Sequence, residues 1–172
     1  MINRPIRGDV LCYHRVGTLD EIAIDFGEYL QDGPQREFVY HVSIATSPYS
    51  QLAAIAGNGV IEYPIMMSDP FAIYRPPIPM KDKIAALSEV ERFKGERYDW
   101  LLIADDALRM LSHDLVHLPD SLVRSEERTH KICSSLVVRY LRYAHFKPPI
   151  PLSFRSTPQD VKLALRKYRV PQ

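Results

Sequence analysis

Two clusters of proline limit what this chain can become. Pro76, Pro77 and Pro79 fall near its middle, and Pro148, Pro149 and Pro151 fall near its end. Proline fixes φ and has no amide hydrogen to donate, so neither a helix nor a central strand runs through such a cluster. Every long element must therefore lie before, between or after them. The 172 residues suffice for one domain with one substantial core. Within those bounds the first half reads as strands and the second as helices, which predicts an α+β domain with an antiparallel sheet packed against helices.

The strand readings come from alternation and turns. Gly8-Asp9-Val10-Leu11-Cys12-Tyr13 is a turn followed by a β-prone run. From Phe38 to Thr46, Phe38, Tyr40, Val42 and Ile44 take one face, and Val39, His41, Ser43 and Ala45 the other. Gly57-Asn58-Gly59 is a strong turn signal and leads into Val60-Ile61-Glu62-Tyr63. His41 and Glu62 are thus expected on successive strands. Lys81 to Lys94 carries Ile84, Leu87, Val90 or Glu91, and Phe93 at near-helical spacing, with Gly95 as its stop. Trp100 to Leu111 is a second helical stretch. Ile132 to Ala144 shows the clearest stripe, through Cys133, Leu136, Val137, Tyr140, Leu141 and Ala144. A final helix over Pro158 to Tyr168 starts at Thr157, a usable N-cap followed by proline.

Three side chains on these elements carry the most chemistry. Cys133 falls in the first turn of its helix, where unpaired amides and the helix dipole favour a thiolate and can donate to an oxyanion. The alternative is a buried, inert thiol, since cysteine is among the most buried residue types. His41 lies beside the small residues Ser43 and Ala45, which would let a helix approach closely; a structural histidine is the alternative. Glu62 sits between Ile61 and Tyr63, where a carboxylate could hold an imidazole tautomer or simply face solvent. Tyr98, in Tyr98-Asp99-Trp100, could donate its hydroxyl to an oxyanion or pack as an aromatic. Histidines 14, 113, 117, 130 and 145 lie in turns or near helix ends and receive no role.

Composition excludes several classes. Apolar residues make up 46% and charged residues 25%, an ordinary globular usage, and the net charge of +1 gives no whole-chain case for nucleic acid. Two cysteines, Cys12 and Cys133, make no disulfide framework, and no Cys/His cluster has zinc spacing, so neither a metal nor another cofactor is expected. Walker, dinucleotide, zincin and serine-elbow motifs are missing. The N-terminus lacks the apolar core of a signal peptide, and no apolar run approaches bilayer length, so a soluble chain with reduced thiols, cytoplasmic as synthesised, is expected. From Arg139 to Gln172, eight Lys/Arg face one acid, Asp160: a solvated basic tail, or a phosphate- or membrane-binding patch.

The motifs in order resemble a known family. Gly8-Asp9-Val10-Leu11, Tyr40-His41-Val42-Ser43-Ile44-Ala45, Gly57-Asn58-Gly59-Val60-Ile61-Glu62, Lys94-Gly95-Glu96-Arg97-Tyr98-Asp99-Trp100 and Ile132-Cys133-Ser134-Ser135-Leu136-Val137 together resemble the NlpC-type papain-like hydrolases. Because His41 and Glu62 precede Cys133, the order is similar to the circularly permuted branch, the YiiX/YebB-like proteins, whose nucleophile helix lies near the C-terminus. Ser156-Thr157-Pro158-Gln159-Asp160-Val161 looks like a segment common after that helix. The resemblance covers nearly the whole chain, about Gly8 to Val161. It departs at Ser43, where many relatives have Gly, and at Ser135, where many have Glu or Gly. The stretch from Asp106 to Thr129 is longer than the motifs require.

The resemblance implies a cysteine peptidase or amidase. Cys133 would be the nucleophile, His41 the base and Glu62 the residue orienting the base, with Tyr98 and Ser134 at the oxyanion or substrate. The substrate would be a peptide or muropeptide amide, or a lipid-acyl group, which leaves hydrolase and acyltransferase both open. Delivery with a virion or secretion apparatus, peripheral membrane association, and a non-catalytic component retaining the fold are further readings of the same scaffold.

Overall fold

The computed structural model of the chain describes residues 4–14, 39–98, 119 and 130–171. The helix expected over Trp100 to Leu111 lies outside the described residues, and so does Asp106 to Thr129 apart from Pro119. The described chain is α+β: a five-stranded antiparallel sheet with three helices. Its strands are β1 (Val10–His14), β2 (Val39–Ala45), β3 (Ser50–Ile55), β4 (Gly59–Pro64) and β5 (Phe71–Tyr74), in the order β4-β3-β2-β1-β5. The helices are α1 (Met80–Glu91), α2 (Cys133–Tyr143) and α3 (Pro158–Leu165), the last continued by a 3₁₀ turn at Arg166–Tyr168. A short parallel pair, β6 (Arg97–Tyr98) and β7 (His130–Lys131), makes a second ribbon.

β1 is internal and flanked on both sides, which is why Val10, Leu11, Cys12 and Tyr13 are all buried and the run is apolar without alternation. Its two faces serve different layers. Val10 and Cys12 join Val42, Ile44, Leu52, Ala54 and Val60 in the main core, which packs against Leu87 and Val90 of α1, Leu136, Val137, Tyr140 and Leu141 of α2, and Val161 and Leu165 of α3. Leu11 and Tyr13 join Ala45, Ile65 and Ile73 on the other face, with Tyr40, Phe71 and Val170 packed against them. The far edge of β5 is not left open. Val170 N–H donates to Ile73 O at 2.8 Å and Arg75 N–H to Tyr168 O at 2.9 Å, so the C-terminal segment covers that edge.

Three sequence expectations are corrected here. β3 lies between the strands of His41 and Glu62, so these are not successive: Ile44 pairs with Leu52, and Leu52 with Glu62. Ser-Gln-Leu-Ala-Ala-Ile has little β-branched or aromatic content, so its strand character comes from neighbours rather than propensity. The alternation expected for β2 also breaks. Tyr13 pairs with His41 but His14 with Val39, a bulge that turns Val39 into the main core while Ala45 stays on the other face. His14, expected in a turn, closes β1.

The helix boundaries follow local chemistry. At α2 the Ser135 hydroxyl accepts from Ile132 N–H at 3.2 Å and donates to Ile132 O at 3.1 Å, so this serine secures the first turn that carries Cys133. The helix ends where His145 adopts φ 53° and Phe146 N–H returns to Leu141 O at 2.9 Å. At α3, Thr157 Oγ1 accepts from Asp160 N–H at 3.2 Å while Asp160 Oδ2 accepts from Thr157 N–H at 2.9 Å, a full capping box with proline at the first helical position.

The β6–β7 ribbon is tied to the sheet through β4. Val60 N–H donates to Glu96 O and Gly95 N–H to Val60 O, both at 2.9 Å. This close approach needs glycine at 59, where φ is +72° and a Cβ would meet Glu96 O at 2.1 Å.

Candidate active site

Cys133 is the first residue of α2 and borders the main core. The two cysteines, both free thiols, differ in kind. Cys12 is 0% exposed in mid-strand, and burial pushes its thiol well above the usual range, so it stays protonated. Cys133 is 6% exposed and stands where the first amides of a helix have no intrahelical partner. Ser134, next in that turn, is fully buried, and its hydroxyl has no hydrogen-bond partner among the described residues.

The parallel pairing Arg97↔His130 and Tyr98↔Lys131 brings the Tyr-Asp segment beside the chain entering α2, so Tyr98 is held two residues from Cys133 in register. Lys131 is fully buried; its ammonium pairs with Glu96 Oε2 at 2.9 Å and lies 4.8 Å from the Phe93 ring centroid. Tyr98 is partly buried and packs against the main core. Tyr98 also lines an open cleft of about 400 Å³ with Gly57, Asn58, Gly59, Gly95, Glu96 and Arg97.

His41 is half-buried. Its ring lies 5.7 Å from that of Tyr13 and 6.2 Å from that of Tyr40, centroid to centroid. Loss of water around the ring pushes its pKa down to about 4, so at neutral pH it is an uncharged imidazole with a lone pair to offer. Its Nε2 and the Tyr63 hydroxyl share a hydrogen bond at 3.2 Å, with either atom able to donate according to the tautomer. The small residues Ser43 and Ala45 do not admit a helix beside it, because the helices pack on Val42 and Ile44 instead. Ser43 and Tyr13 both donate to Gln51 Oε1, at 2.5 Å and 2.6 Å, making a buried polar layer next to His41.

Glu62 does not reach His41. Its Oε1 accepts from Thr46 Oγ1 at 2.6 Å and its Oε2 from Lys94 Nζ at 2.6 Å, and these hydrogen bonds hold the carboxyl below its ordinary range. The reason is strand parity. Glu62 pairs with Leu52, which faces the helices, whereas Tyr63 pairs with Gln51, on the side of Tyr13 and Ser43. A one-residue step along β4 therefore exchanges Glu62 for Tyr63 as the neighbour of the imidazole. Among the described residues His41 has no hydrogen bond to Cys133. Tyr63 bonds to His41, and its ionisation is opposed first by burial and then by the charges Tyr13 and Cys133 would carry. Tyr63 and Gln51 are not marked by the sequence, because the alanine-rich β3 that sets their register carries no strand signal.

Stability should depend on this imidazole, which folding strips of water. The unfolded histidine binds a proton near pH 6.5 and the folded one near 4, so His41's contribution is complete above about pH 6.5 and is lost as pH falls toward 4. Urea unfolding at pH 7.5 and pH 4.5 should show a pH-dependent loss smaller in His41→Gln than in the parent chain, by on the order of 2 kcal/mol. Equal losses in both chains would show that His41 protonates freely in the folded state.

Among the described residues no group of three or more His, Cys, Asp or Glu is placed to hold a metal ion, and no helix is long and apolar enough to cross a membrane. Comparison with protein-family models, with curated proteins and with solved structures found no match.

Proposed function

We propose that this chain is a cysteine hydrolase of the circularly permuted NlpC-type, papain-like kind, cleaving an amide or ester through a thioester on Cys133. The observation that carries the reading is the position of Cys133 at the first residue of α2, with Tyr98 paired to Lys131 two residues before it. In this reading the imidazole takes the thiol proton and the thiolate attacks the carbonyl. Amides of the first turn of α2 and the Tyr98 hydroxyl steady the oxyanion. The imidazolium then protonates the leaving group, and water releases the acyl group. The substrate proposed is a peptidoglycan peptide or related amide, with a lipid-acyl ester as the alternative within the same chemistry.

A second reading has its own support. Cys133 is nearly buried, and His41 bonds to Tyr63 rather than to the thiol, which favours a structural or interaction module on this scaffold. Alkylation separates the two. With iodoacetamide at pH 7, Cys133 should label far faster than Cys12, and His41→Ala should slow it at least ~10-fold. Slow labelling indifferent to His41→Ala would favour the structural module. A screen of muropeptides against phospholipid vesicles then assigns the acyl group.

A further inference from the structure

We propose that Tyr63 is the positioning residue of His41: its hydroxyl oxygen accepts the Nε2–H and leaves Nδ1 as the basic nitrogen. This rests on the reading of His41 as the base. The residue expected in that role, Glu62, is occupied by Thr46 and Lys94 on the other face of β4, whereas Tyr63 Oη stands 3.2 Å from Nε2. A tyrosine hydroxyl both donates and accepts, so it serves a neutral imidazole and an imidazolium alike. With Nε2–H held by Tyr63, the proton leaving Sγ of Cys133 is received at Nδ1. The products of that step are a thiolate and an imidazolium whose Nε2–H still points at Tyr63.

The surroundings suit this task. Tyr63 pairs in register with Gln51, which is fixed by Tyr13 and Ser43, so the phenol rises from a buried, hydrogen-bonded layer. The rings of Tyr13 from β1 and Tyr40 from β2 flank His41, and ionisation of Tyr63 is opposed first by burial and then by the charges that Tyr13, Cys133, Tyr40 and Asp69 would carry. Each of these, if ionised, would be negative, and burial keeps the phenols of Tyr13 and Tyr63 protonated well above the usual range. Tyr63 therefore acts on His41 as a neutral dipole rather than as a second charge, unlike a carboxylate. It orders the ring without raising the imidazole's basicity by ion pairing.

The test is ¹⁵N-resolved NMR of the histidine side chains in the full chain, with His41 assigned by its absence in His41→Ala. The expected wild-type result is a single Nε2–H tautomer with a slowly exchanging Nε2 proton. In Tyr63→Phe the tautomer ratio should fall by about fivefold and the slow proton should vanish, while Glu62→Gln changes neither. Iodoacetamide labelling of Cys133 should slow severalfold in Tyr63→Phe. A wild-type Nδ1–H tautomer, or a tautomer ratio unmoved in Tyr63→Phe, overturns the assignment; the wild-type measurement decides even where the variant does not fold. Labelling of Cys133 that ignores His41→Ala removes the base role and this proposal's place in catalysis. The tautomer readout still separates that failure from an error about Tyr63.

Discussion

Cys133→Ala is expected to lose turnover by on the order of 10⁴–10⁶-fold, the range found when the nucleophile of an acyl-transfer site is removed. In the proposed mechanism the loss should fall on kcat, because there the thiol takes part in the bond-making step and not in the uniform binding of substrate. The fold should survive. One sulfur atom is removed at the edge of the core, at a cost of about 1 kcal/mol, and the first turn of α2 remains held by Ser135 on Ile132. Cys12→Ala supplies the control: that thiol is sealed in mid-strand, so turnover should be unchanged although the core is slightly weakened. The measurement is steady-state hydrolysis of the substrate class found by screening, alongside a thermal melt. Comparable rates for Cys133→Ala and the parent chain would remove the thioester from the mechanism.

Asp9→Ala is expected to destabilise the chain more than any change at the candidate site. Asp9 is fully buried, and its carboxylate receives Arg75 Nε at 3.0 Å on Oδ1 and Arg75 Nη2 at 2.8 Å on Oδ2. Ile6 N–H donates to Oδ2 at 2.9 Å, and Lys83 Nζ lies 3.6 Å from Oδ1. Together these join the turn before β1 to the end of β5 and to α1. The adjoining Gly8 offers its carbonyl to Tyr140 Oη of α2 at 2.8 Å; a Cβ there would lie 2.6 Å from that oxygen. Burial pushes the Lys83 ammonium below its usual range, an effect that Asp9 opposes. Removing the carboxylate strands a buried cation, which typically costs about 3–5 kcal/mol, or a fall in Tm of about 10 °C for a chain of this size. Lys83→Met in the Asp9→Ala background should recover part of that loss, since it takes away the unpaired charge. A Tm within 2 °C of the parent for Asp9→Ala would show that water solvates both cations adequately.

These two predictions draw on different layers of information. Cys133 was singled out from the sequence because helix onset, apolar stripe and thiol coincide within a few residues. Asp9 was visible only as part of the Gly-Asp-Val motif; that it anchors Arg75 and Lys83, 66 and 74 positions away, depends on where β5 and α1 return in space. Glu62 shows the limit most clearly. Its neighbours in sequence made it the natural partner for His41, yet the two residues are related through β3, whose alanine-rich sequence gave no strand signal.

What the sequence determined by itself were the features set by short-range chemistry. Proline bounded the elements, turns and β-prone runs marked β1 and β4, alternation marked β2, and the Thr157 cap followed by proline fixed where α3 begins. These depend on neighbours within about four residues, so they survive without knowledge of the rest. Only the tertiary structure decided the strand order β4-β3-β2-β1-β5, the bulge beside His41 and the choice of Tyr63 over Glu62. Those outcomes turn on register between distant strands. A side chain's face reverses with every residue along a strand, so a single step of register or one bulge replaces one neighbour with another.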